Sequence, residues 1–341
     1  MNNAASKKGG VPRFLVIQTA FIGDVILATA LIKTLHLAYP TAKIEVLVRK
    51  GNESLLQADP HISRIWVWNK ENRKLFNLVC LGLKLFRVRY SGVIVLQRYF
   101  SGGWLGLMAR GKVRVCFKQN PLSWFYTHSY SHALSGIHEV QRNQALLTAF
   151  VPAEYTRANN IEERPHLEHS TDTVEKIRQI TAAGGVCYVI APASVWPTKQ
   201  VPKTIWEKII KKLPNEAAVY LVGGKADRAL CEELASFHPR GSSLAGSISL
   251  IETYLLMKCS RQVFVNDSAP LHLASAANVA TVAFFCSTVP AFGFGPLAEV
   301  HQIIECTQLD CRPCGIHGHK VCPQGHFRCG KELPIEKIQF L

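Results

Sequence analysis

The stretch Val265-Asn-Asp-Ser-Ala-Pro-Leu-His-Leu-Ala-Ser-Ala276 decides the fold, because it joins a strand to a helix through a sharp turn. The apolar run 262–265 predicts the strand, residues 268–270 open the helix, and the apolar run 281–285 predicts the next strand. This order of elements is typical of a parallel α/β sheet. In open sheets of this kind, ligands bind outside the carboxyl ends of the strands, which is where this turn lies.

The turn carries groups suited to a phosphorylated sugar. A helix N-terminus favours phosphate because its first N–H groups lack internal partners and the helix dipole adds positive potential. Asp267 could accept hydroxyls of a ribose or another sugar, and His272, one turn into the helix, could face a diphosphate. An equally open interpretation is that Asp267 or Ser268 only caps the helix and that His272 is an ordinary surface residue.

Both halves of the chain alternate strands with helices. In the first half, strands are predicted at 13–18, 43–48, 64–68, 92–96 and 113–117, and helices at 25–39, 74–86 and 138–150. In the second half, strands are also predicted at 186–191 and 217–222, and helices at 205–213, 226–236, 249–258 and 334–340. The polar, proline-containing stretch 151–171 predicts a linker between two Rossmann-like domains, 13–150 and 172–341.

Two loops of these domains hold further candidate site residues. Asp24 follows the first strand in a loop that lacks the G-x-G-x-x-G dinucleotide pattern. It is either a helix cap or a carboxylate at the sheet's carboxyl edge that can act as a base. The loop Ala193-Ser-Val-Trp-Pro-Thr-Lys199 ends in a lysine that could bind a phosphate oxygen, or could simply be a surface residue.

Positive charge is concentrated in the first half. The 341 residues have a net charge of +15, and residues 70–118 hold eleven Lys and Arg against the single acid Glu71. Such a face suits nucleic acid, acidic lipid headgroups or a phosphorylated glycan, unless it is only a solvated surface. The basic amphipathic helix predicted at 74–86 and the aromatic residues Trp104, Trp124, Phe125 and Tyr126 favour an amphiphilic partner or a membrane surface, although core packing would also explain the aromatic residues.

Signals for location and metal binding are weaker. Residues 1–12 are polar and basic and are interpreted as a disordered leader, and the uncharged stretch 268–298 contains too many breakers for a membrane span. We therefore expect a cytoplasmic protein with reduced cysteines.

In the tail 306–329, Cys311, Cys314, Cys322 and Cys329 could form a tetrahedral site for a structural Zn or Fe ion, or could remain packed thiols.

Four segments, taken in order, resemble the ADP-heptose:lipopolysaccharide heptosyltransferases of glycosyltransferase family 9. They are Gly23-Asp24, Ala191-Pro-Ala-Ser-Val-Trp-Pro-Thr-Lys199, Asn266-Asp-Ser-Ala-Pro-Leu-His272, and the tail Cys311-Arg-Pro-Cys314…Cys322-Pro…Gly325-His326…Cys329. The resemblance runs from about Arg13 to the C-terminus. It implies a GT-B architecture, in which two Rossmann-like domains face each other across a cleft. The N-terminal domain would take a lipopolysaccharide precursor at the inner face of the cytoplasmic membrane, and the C-terminal domain would take ADP-heptose.

The resemblance also implies a role for each candidate. Asp24 matches the catalytic carboxylate of an inverting, metal-independent transfer. The donor-binding positions are Ser194, Val195, Lys199, Asp267, Ser268, Ala269, Pro270 and His272. Among them, Ser194 and Lys199 match contacts to the donor diphosphate. Many members have Gly where Ala269 stands, and a methyl group there narrows the approach of a ligand to the backbone.

Two alternatives stay open at this point. The chain could transfer another nucleotide sugar or use a protein acceptor. It could also be a non-catalytic protein on a degenerate transferase fold that binds polyanions or a membrane surface. No nucleic-acid-binding motif appears in a fitting context, so no nucleic acid partner is expected.

Overall fold

The computed structural model describes residues 11–134, 136–152, 164–182 and 184–341. These residues form two compact units. Unit 1 comprises Met1–Ala133 and Glu139–Glu168, and unit 2 comprises Leu134–His138 and His169–Leu341. The predicted leader, apart from Val11 and Pro12, and most of the predicted linker lie outside the described residues.

Unit 1 is built on a parallel sheet flanked by helices. Its strands are β1 (Arg13–Gln18), β2 (Lys43–Arg49), β3 (Ile62–Trp68), β4 (Arg89–Val95), β5 (Arg110–Phe117) and β6 (His128–Tyr130). Its helices are α1 (Ile22–Ala38), α2 (Lys74–Phe86), α3 (Phe100–Met108) and α4 (Glu139–Ala145). The strand order is β3-β2-β1-β4-β5-β6, and all neighbouring strands described here are parallel.

Unit 2 repeats this plan. Its strands are β7 (Cys187–Ala191), β8 (Ala218–Leu221), β9 (Gly241–Ser243), β10 (Gln262–Asn266), β11 (Thr281–Phe285) and β12 (His301–Glu305). Its helices are α5 (Thr171–Ile180), α6 (Lys203–Ile210), α7 (Arg228–Ala235), α8 (Leu250–Lys258), α9 (Ala269–Ala277) and the short α10 (Arg328–Lys331). The order is β12-β11-β10-β7-β8-β9, again with parallel neighbours.

Burial explains why the sequences of the central strands are continuous apolar runs. In both sheets the central strands are covered by helices, as in other parallel sheets. Every residue of β7, β10 and β11 is buried, and so are all residues of β1 except Arg13. The sequence that decides the fold therefore lies at the centre of unit 2, where β10 pairs with both β7 and β11.

The structure differs from the sequence predictions at the start of one helix and in the C-terminal segment. Helix α1 begins three residues earlier than predicted, which places Asp24 inside its first turn. The predicted helix at 334–340 is wrong, since only a single 3-10 turn, Ile335–Lys337, forms there. Of the aromatic residues in unit 1, Tyr126 packs into the core and Trp104 against it, whereas Trp124 and Phe125 are exposed. Within the described ranges, no helix is both long enough and apolar enough to cross a membrane.

Candidate active site

Asp24 lies at the carboxyl edge of the unit 1 sheet. The strand before it, β1, sits between β2 and β4, so its end opens at the middle of this edge. The N-cap of α1 is Phe21, which has an extended backbone and makes no side-chain cap bond. Asp24 is therefore not the N-cap residue itself but lies beside the cap, three residues further on. The carboxylate is placed in the first turn, and its side chain keeps partial solvent contact.

The surroundings of Asp24 favour its protonated form. Burial, followed by the nearby charge of Glu139, raises the pKa of Asp24 from 3.8 to about 7. The backbone N–H groups of Phe21 and Asp24 itself, and the charge of Arg98, lower this pKa only in part. Among the described residues, Asp24 forms no ion pair. A carboxylate whose pKa lies near neutrality can exchange a proton with a substrate at physiological pH.

Cations surround the turn that holds Asp24. The Lys70 ammonium donates to the Thr19 carbonyl at 2.6 Å, and burial together with Arg49 and Lys74 lowers the pKa of Lys70 to about 8. The guanidinium of Arg49 lies 5.5 Å from the ring centroid of the exposed Phe21. The edge of the sheet beside Asp24 can thus accept an anionic ligand.

Asp267, at the carboxyl edge of the unit 2 sheet, is held in a different way. Its Oδ2 atom pairs with Lys199 Nζ at 2.6 Å and accepts a hydrogen bond from Thr288 Oγ1 at 2.6 Å. Asp267 is buried, and only 13% of the Lys199 side chain is exposed. The structure therefore brings together two residues that the sequence placed in separate loops, and Lys199 is not the ordinary surface lysine of the alternative interpretation.

The loop that carries Lys199 is fixed to the end of β10 by Asn266. The Asn266 side chain accepts from the Val201 N–H at 3.1 Å and donates to the Pro192 carbonyl at 2.7 Å. Within the loop, the Gln200 side chain donates to the Ser194 carbonyl at 2.6 Å. Val195 is 78% exposed, so it stands at the tip of the loop. Both ends of the loop are therefore positioned before any ligand binds.

The first turn of α9 contains the remaining predicted donor residues. Ser268 is the N-cap, but its side chain makes no cap bond, and Ala269 and Pro270 follow as the first helical residues. Capping therefore does not explain the side chain of either Ser268 or Asp267. His272 is buried, and burial, followed by the charges of His138 and Lys199, lowers its pKa to about 3. The imidazole is therefore neutral at physiological pH, which makes it a hydrogen-bonding group rather than a cation.

His138 is a site residue that the sequence did not single out. The segment Leu134–His138 belongs to unit 2, where His138 Nε2 contacts the Gly295 carbonyl at 3.1 Å. The charge of His138 also lowers the pKa of His272. The sequence prediction placed His138 in a helix, but α4 begins one residue later. No local pattern could have revealed this contact, because His138 and Gly295 are far apart in the chain.

The Cys-rich tail supports the Lys199 loop directly. The His319 N–H donates to Thr198 Oγ1 at 2.7 Å, and the Thr198 N–H donates to the His319 carbonyl at 3.2 Å. A Cβ added to Gly318 would lie 2.5 Å from Trp196 Cβ and 3.0 Å from Lys199 Cγ. The tail therefore passes so close to the loop that only glycine fits at this position.

Arg312 fixes the neighbouring loop, which holds Thr288. Its guanidinium donates to the carbonyl oxygens of Phe285, Cys286 and Thr288 and pairs with Glu305 at 2.5 Å. Because the Thr288 hydroxyl binds Asp267, Arg312 positions the carboxylate through one intermediate residue. Arg312 lies between Cys311 and Cys314, and the sequence predicts no role for it. No local pattern marks Arg312, because the tail around it contains other charged residues such as Asp310 and Lys320.

The tail cysteines Cys311, Cys314, Cys322 and Cys329 lie close enough for their charges to affect one another. Burial, followed by the neighbouring thiols, raises the pKa of Cys329 to about 11 and also raises the pKa of Cys314. Cys311 Sγ lies 3.9 Å from His326 Nε2. In the part of the chain that the structure describes, no three His, Cys, Asp or Glu side chains are arranged to hold a metal ion. The site at Cys311, Cys314, Cys322 and Cys329 stays a prediction.

Comparison with known proteins identifies the family and the fold. The model of glycosyltransferase family 9 (heptosyltransferase) matches residues 79–324. Lipopolysaccharide heptosyltransferase 3 of Escherichia coli is 26% identical over 287 residues, covering 79% of this chain and 82% of the relative.

Two solved structures share the two-unit GT-B fold, which confirms the predicted fold class. The family 9 glycosyltransferase of Veillonella parvula has a TM-score of 0.73 at 16% identity and covers 86% of this chain and 85% of its own. The ADP-heptose lipopolysaccharide heptosyltransferase II of Escherichia coli has a TM-score of 0.70 at 20% identity, and the match covers 94% of this chain and 98% of that one.

Proposed function

This chain belongs to glycosyltransferase family 9, and we propose that it transfers heptose from ADP-heptose to a hydroxyl of the lipopolysaccharide inner core, with inversion at the anomeric carbon. The observation that carries this proposal is the position of Asp24 in the first turn of α1, at the carboxyl end of the central strand β1, where a pKa raised to about 7 suits a general base at neutral pH. The donor and the acceptor are those in the names of the similar heptosyltransferases.

In the proposed reaction, Asp24 acts on the acceptor. Its carboxylate takes the proton of the acceptor hydroxyl as the oxygen attacks the anomeric carbon of the heptose. The bond between that carbon and the diphosphate oxygen breaks, and ADP leaves with the electron pair. The cations near this turn, among them Arg49, Lys70 and Arg98, attract the phosphate groups of the acceptor.

The donor occupies the carboxyl edge of unit 2. Lys199 and Ser194 bind the diphosphate, and Lys199 offsets the negative charge that develops on the departing ADP. Asp267 orients Lys199 and accepts sugar hydroxyls, while Ser268, Ala269 and Pro270 present the first turn of α9 to the phosphates. Neutral His272 offers a hydrogen bond, because its buried Nδ1 atom has no partner among the described residues. Val195, at the exposed tip of the loop, contacts the donor from solvent.

The positive charge needed at the leaving group comes from Lys199, so the proposal requires no metal ion for catalysis. A structural Zn or Fe ion on the tail cysteines would stabilise the tail without taking part in the reaction. We propose that the protein works in the cytoplasm, at the inner surface of the cytoplasmic membrane where its acceptor is made.

Calorimetric titration with ADP tests the donor site first. We expect micromolar binding by the wild-type protein, strong weakening in Asp267→Ala, and unchanged binding in Asp24→Ala. Transfer from ADP-heptose to purified inner-core acceptor tests the reaction, and it should continue in EDTA. If ADP did not bind, or bound equally well to Asp267→Ala, the donor site would be wrong. Strict dependence on added Mg²⁺ or Mn²⁺ would place the chemistry in a different class.

A further inference from the structure

Helix α2 of unit 1 exposes a row of large apolar side chains. Leu78, Leu81 and Leu85 face the core, as expected for a helix packed on a sheet. The exposed face should be polar, yet beside Lys74 and Lys84 it carries the large apolar residues Leu75, Phe76, Val79, Leu83 and Phe86. Leu75 is 75% exposed and Phe76 is 62% exposed. A surface of this kind on a helix marks a site of interaction.

A basic pocket lies at the amino edge of the same sheet. It has a volume of about 630 Å³, and its lining includes the cations Arg13, Arg89, Arg110, Lys112 and Arg114. Of these, Arg13 alone has a carboxylate partner among the described residues, namely Glu45 at 3.6 Å. The four other cations of the pocket have no carboxylate partner among the described residues.

The register of the sheet forces two of these cations together. Arg89 begins β4 and Arg110 begins β5, and the two residues are paired across neighbouring strands. Adjacent strands are about 4.8 Å apart, and like charges on directly paired residues destabilise a sheet. The buried Nε atom of Arg114 also lacks a hydrogen-bond partner among the described residues. An anion in the pocket would relieve the repulsion and supply an acceptor.

The apolar row and the basic pocket form one continuous surface. The guanidinium of Arg110 lies 5.2 Å from the ring centroid of Phe86, the last residue of α2. The basic pocket is separate from the acceptor turn, because Arg13 and Asp24 lie at opposite ends of β1. A strand of six residues spans about 20 Å. A group bound in the pocket is therefore not the sugar that reacts at Asp24.

We propose that this surface docks unit 1 onto a bilayer that contains anionic phospholipid. The headgroup phosphates enter the pocket formed by Arg89, Arg110, Lys112 and Arg114, and the exposed face of α2 lies at the boundary between headgroups and acyl chains. The inference deepens the proposed function and rests on it for the location of the acceptor. It adds the surface that holds the enzyme at the membrane.

A lipid surface fits these residues better than a nucleic acid does. Phosphate contacts to nucleic acid would use the arginines, but the leucines of α2 would gain nothing from a sugar–phosphate backbone. The aliphatic row and the charges are both used only where an anionic surface covers an apolar layer. Zwitterionic headgroups would leave the charges of the pocket unmatched.

Co-sedimentation with vesicles tests the proposal on the full chain. One set of vesicles contains phosphatidylcholine alone, and the other also contains phosphatidylglycerol. We expect binding only to the second set, with affinity falling as salt is raised. The variant Arg110→Glu/Lys112→Glu should lose roughly tenfold or more in the partition coefficient. The variant Leu75→Ser/Leu83→Ser should also bind more weakly, while its residual binding keeps the salt dependence.

Matched controls come from exposed residues of unit 2. Lys208→Glu/Lys212→Glu makes the same change of charge, and Val174→Ser/Val300→Ser removes exposed apolar side chains. Thermal melting checks that each variant is folded, as expected for changes at exposed positions. Equal binding by the test and control variants would overturn the proposal. So would a wild-type protein that binds RNA through Arg110 and Lys112 but does not bind vesicles.

Transfer to a water-soluble fragment of the acceptor separates this inference from the proposed function. The variant in the pocket should keep wild-type transfer to the fragment, because Arg110 and Lys112 lie at the amino edge of the sheet and Asp24 at its carboxyl edge. An inactive protein that still binds anionic vesicles through these residues would support the docking surface and overturn the transfer reaction. An active protein that does not bind vesicles would support the transfer reaction and overturn the docking surface.

Discussion

Asp24 and Asp267 occupy equivalent places in the two units, yet their surroundings differ. Each follows a central strand of a parallel sheet and lies at or beside the start of a helix. Asp267 is buried against Lys199 and Thr288, which hold it as an ion-paired carboxylate. Asp24 has no ion pair among the described residues and is instead desolvated beside Glu139.

The comparison shows that neighbours, rather than position in the fold, decide what a carboxylate can do. A carboxylate held by an ion pair and a hydrogen bond is suited to orienting its partners. A desolvated carboxylate with a pKa near 7 exchanges protons at neutral pH. The two aspartates therefore suit two different tasks, proton transfer in unit 1 and organisation of a phosphate site in unit 2.

The sharpest way to break this comparison is to replace both residues with asparagine. Asp24→Asn should lower kcat by about 10²- to 10⁴-fold, because the proton acceptor is lost, and should leave the Kd for ADP unchanged. Asp267→Asn should instead raise the Kd for ADP. Transfer kinetics and calorimetry on both variants measure this. If the two variants showed the same pattern, the division of tasks would be wrong.

A second test removes the partner of Asp267. Lys199→Met should raise the Kd for ADP by roughly 10- to 100-fold, and should lower the free energy of unfolding by about 2 to 4 kcal/mol because it leaves a buried carboxylate without its cation. The double variant Lys199→Met/Asp267→Asn should recover much of the stability and none of the ADP affinity. Denaturant unfolding of the two single variants and the double variant gives the coupling. Additive effects would show that the pair is not coupled.

Stability as a function of pH tests the environment of Asp24 independently of catalysis. Its pKa is higher in the folded state, about 7, than the ordinary 3.8. The folded protein therefore binds more protons between these values, and the contribution of Asp24 to stability is complete below about pH 4 and lost as the pH rises through 7. Asp24→Asn removes this loss of stability, so the variant and the wild type should have the same free energy of unfolding at pH 4.

Above pH 7, the free energy of unfolding of the same variant should exceed that of the wild type by roughly 1 to 3 kcal/mol. This is less than the full pKa shift implies, because the side chain keeps some solvent contact. Urea unfolding at several pH values measures the difference. Asp267→Asn is the control and should be less stable than the wild type at neutral pH. A constant difference between Asp24→Asn and the wild type at all pH values would contradict the raised pKa.

The smallest expected effect concerns the support of the Lys199 loop by the tail. Gly318→Ala inserts a methyl group against Trp196 and Lys199 and should displace the loop slightly. We expect the KM for ADP-heptose to rise by about threefold to tenfold, with a smaller change in kcat. Gly224→Ala is a suitable control, because its added Cβ would meet only Asp227, at 3.5 Å. Equal KM values for the two variants would show that the tail does not position the loop.

The fold was largely predictable because the central strands are long apolar runs. Strands β1 and β11 and helix α2 begin and end where the sequence predicts. Helix α3 was missed because Gly102, Gly103 and Gly106 lower its helical propensity. The same glycines allow close packing, since a Cβ on Gly103 would overlap Asn120 and a Cβ on Gly106 would overlap Tyr126. Tertiary packing thus overrides local preference there.

The candidate site was predictable only one loop at a time. Asp24, Lys199, Asp267 and His272 stood out because each lies beside the predicted end of a strand. The contacts of Arg312, Thr288 and His138 did not, because each joins segments that are distant along the chain. The ion pair between Lys199 and Asp267 was missed for the same reason, although both of its members were named.

The bonds between Thr198 and His319 have a consequence for the order of events during synthesis. These two residues are separated by 121 positions, and Arg312 reaches back to carbonyl groups made 24 to 27 residues earlier. Unit 1 leaves the ribosome first and can fold as the rest of the chain is made. The loop of Lys199 acquires its last supports only after His319 has emerged. A nascent chain therefore presents unit 1 well before the proposed donor site of unit 2 is complete.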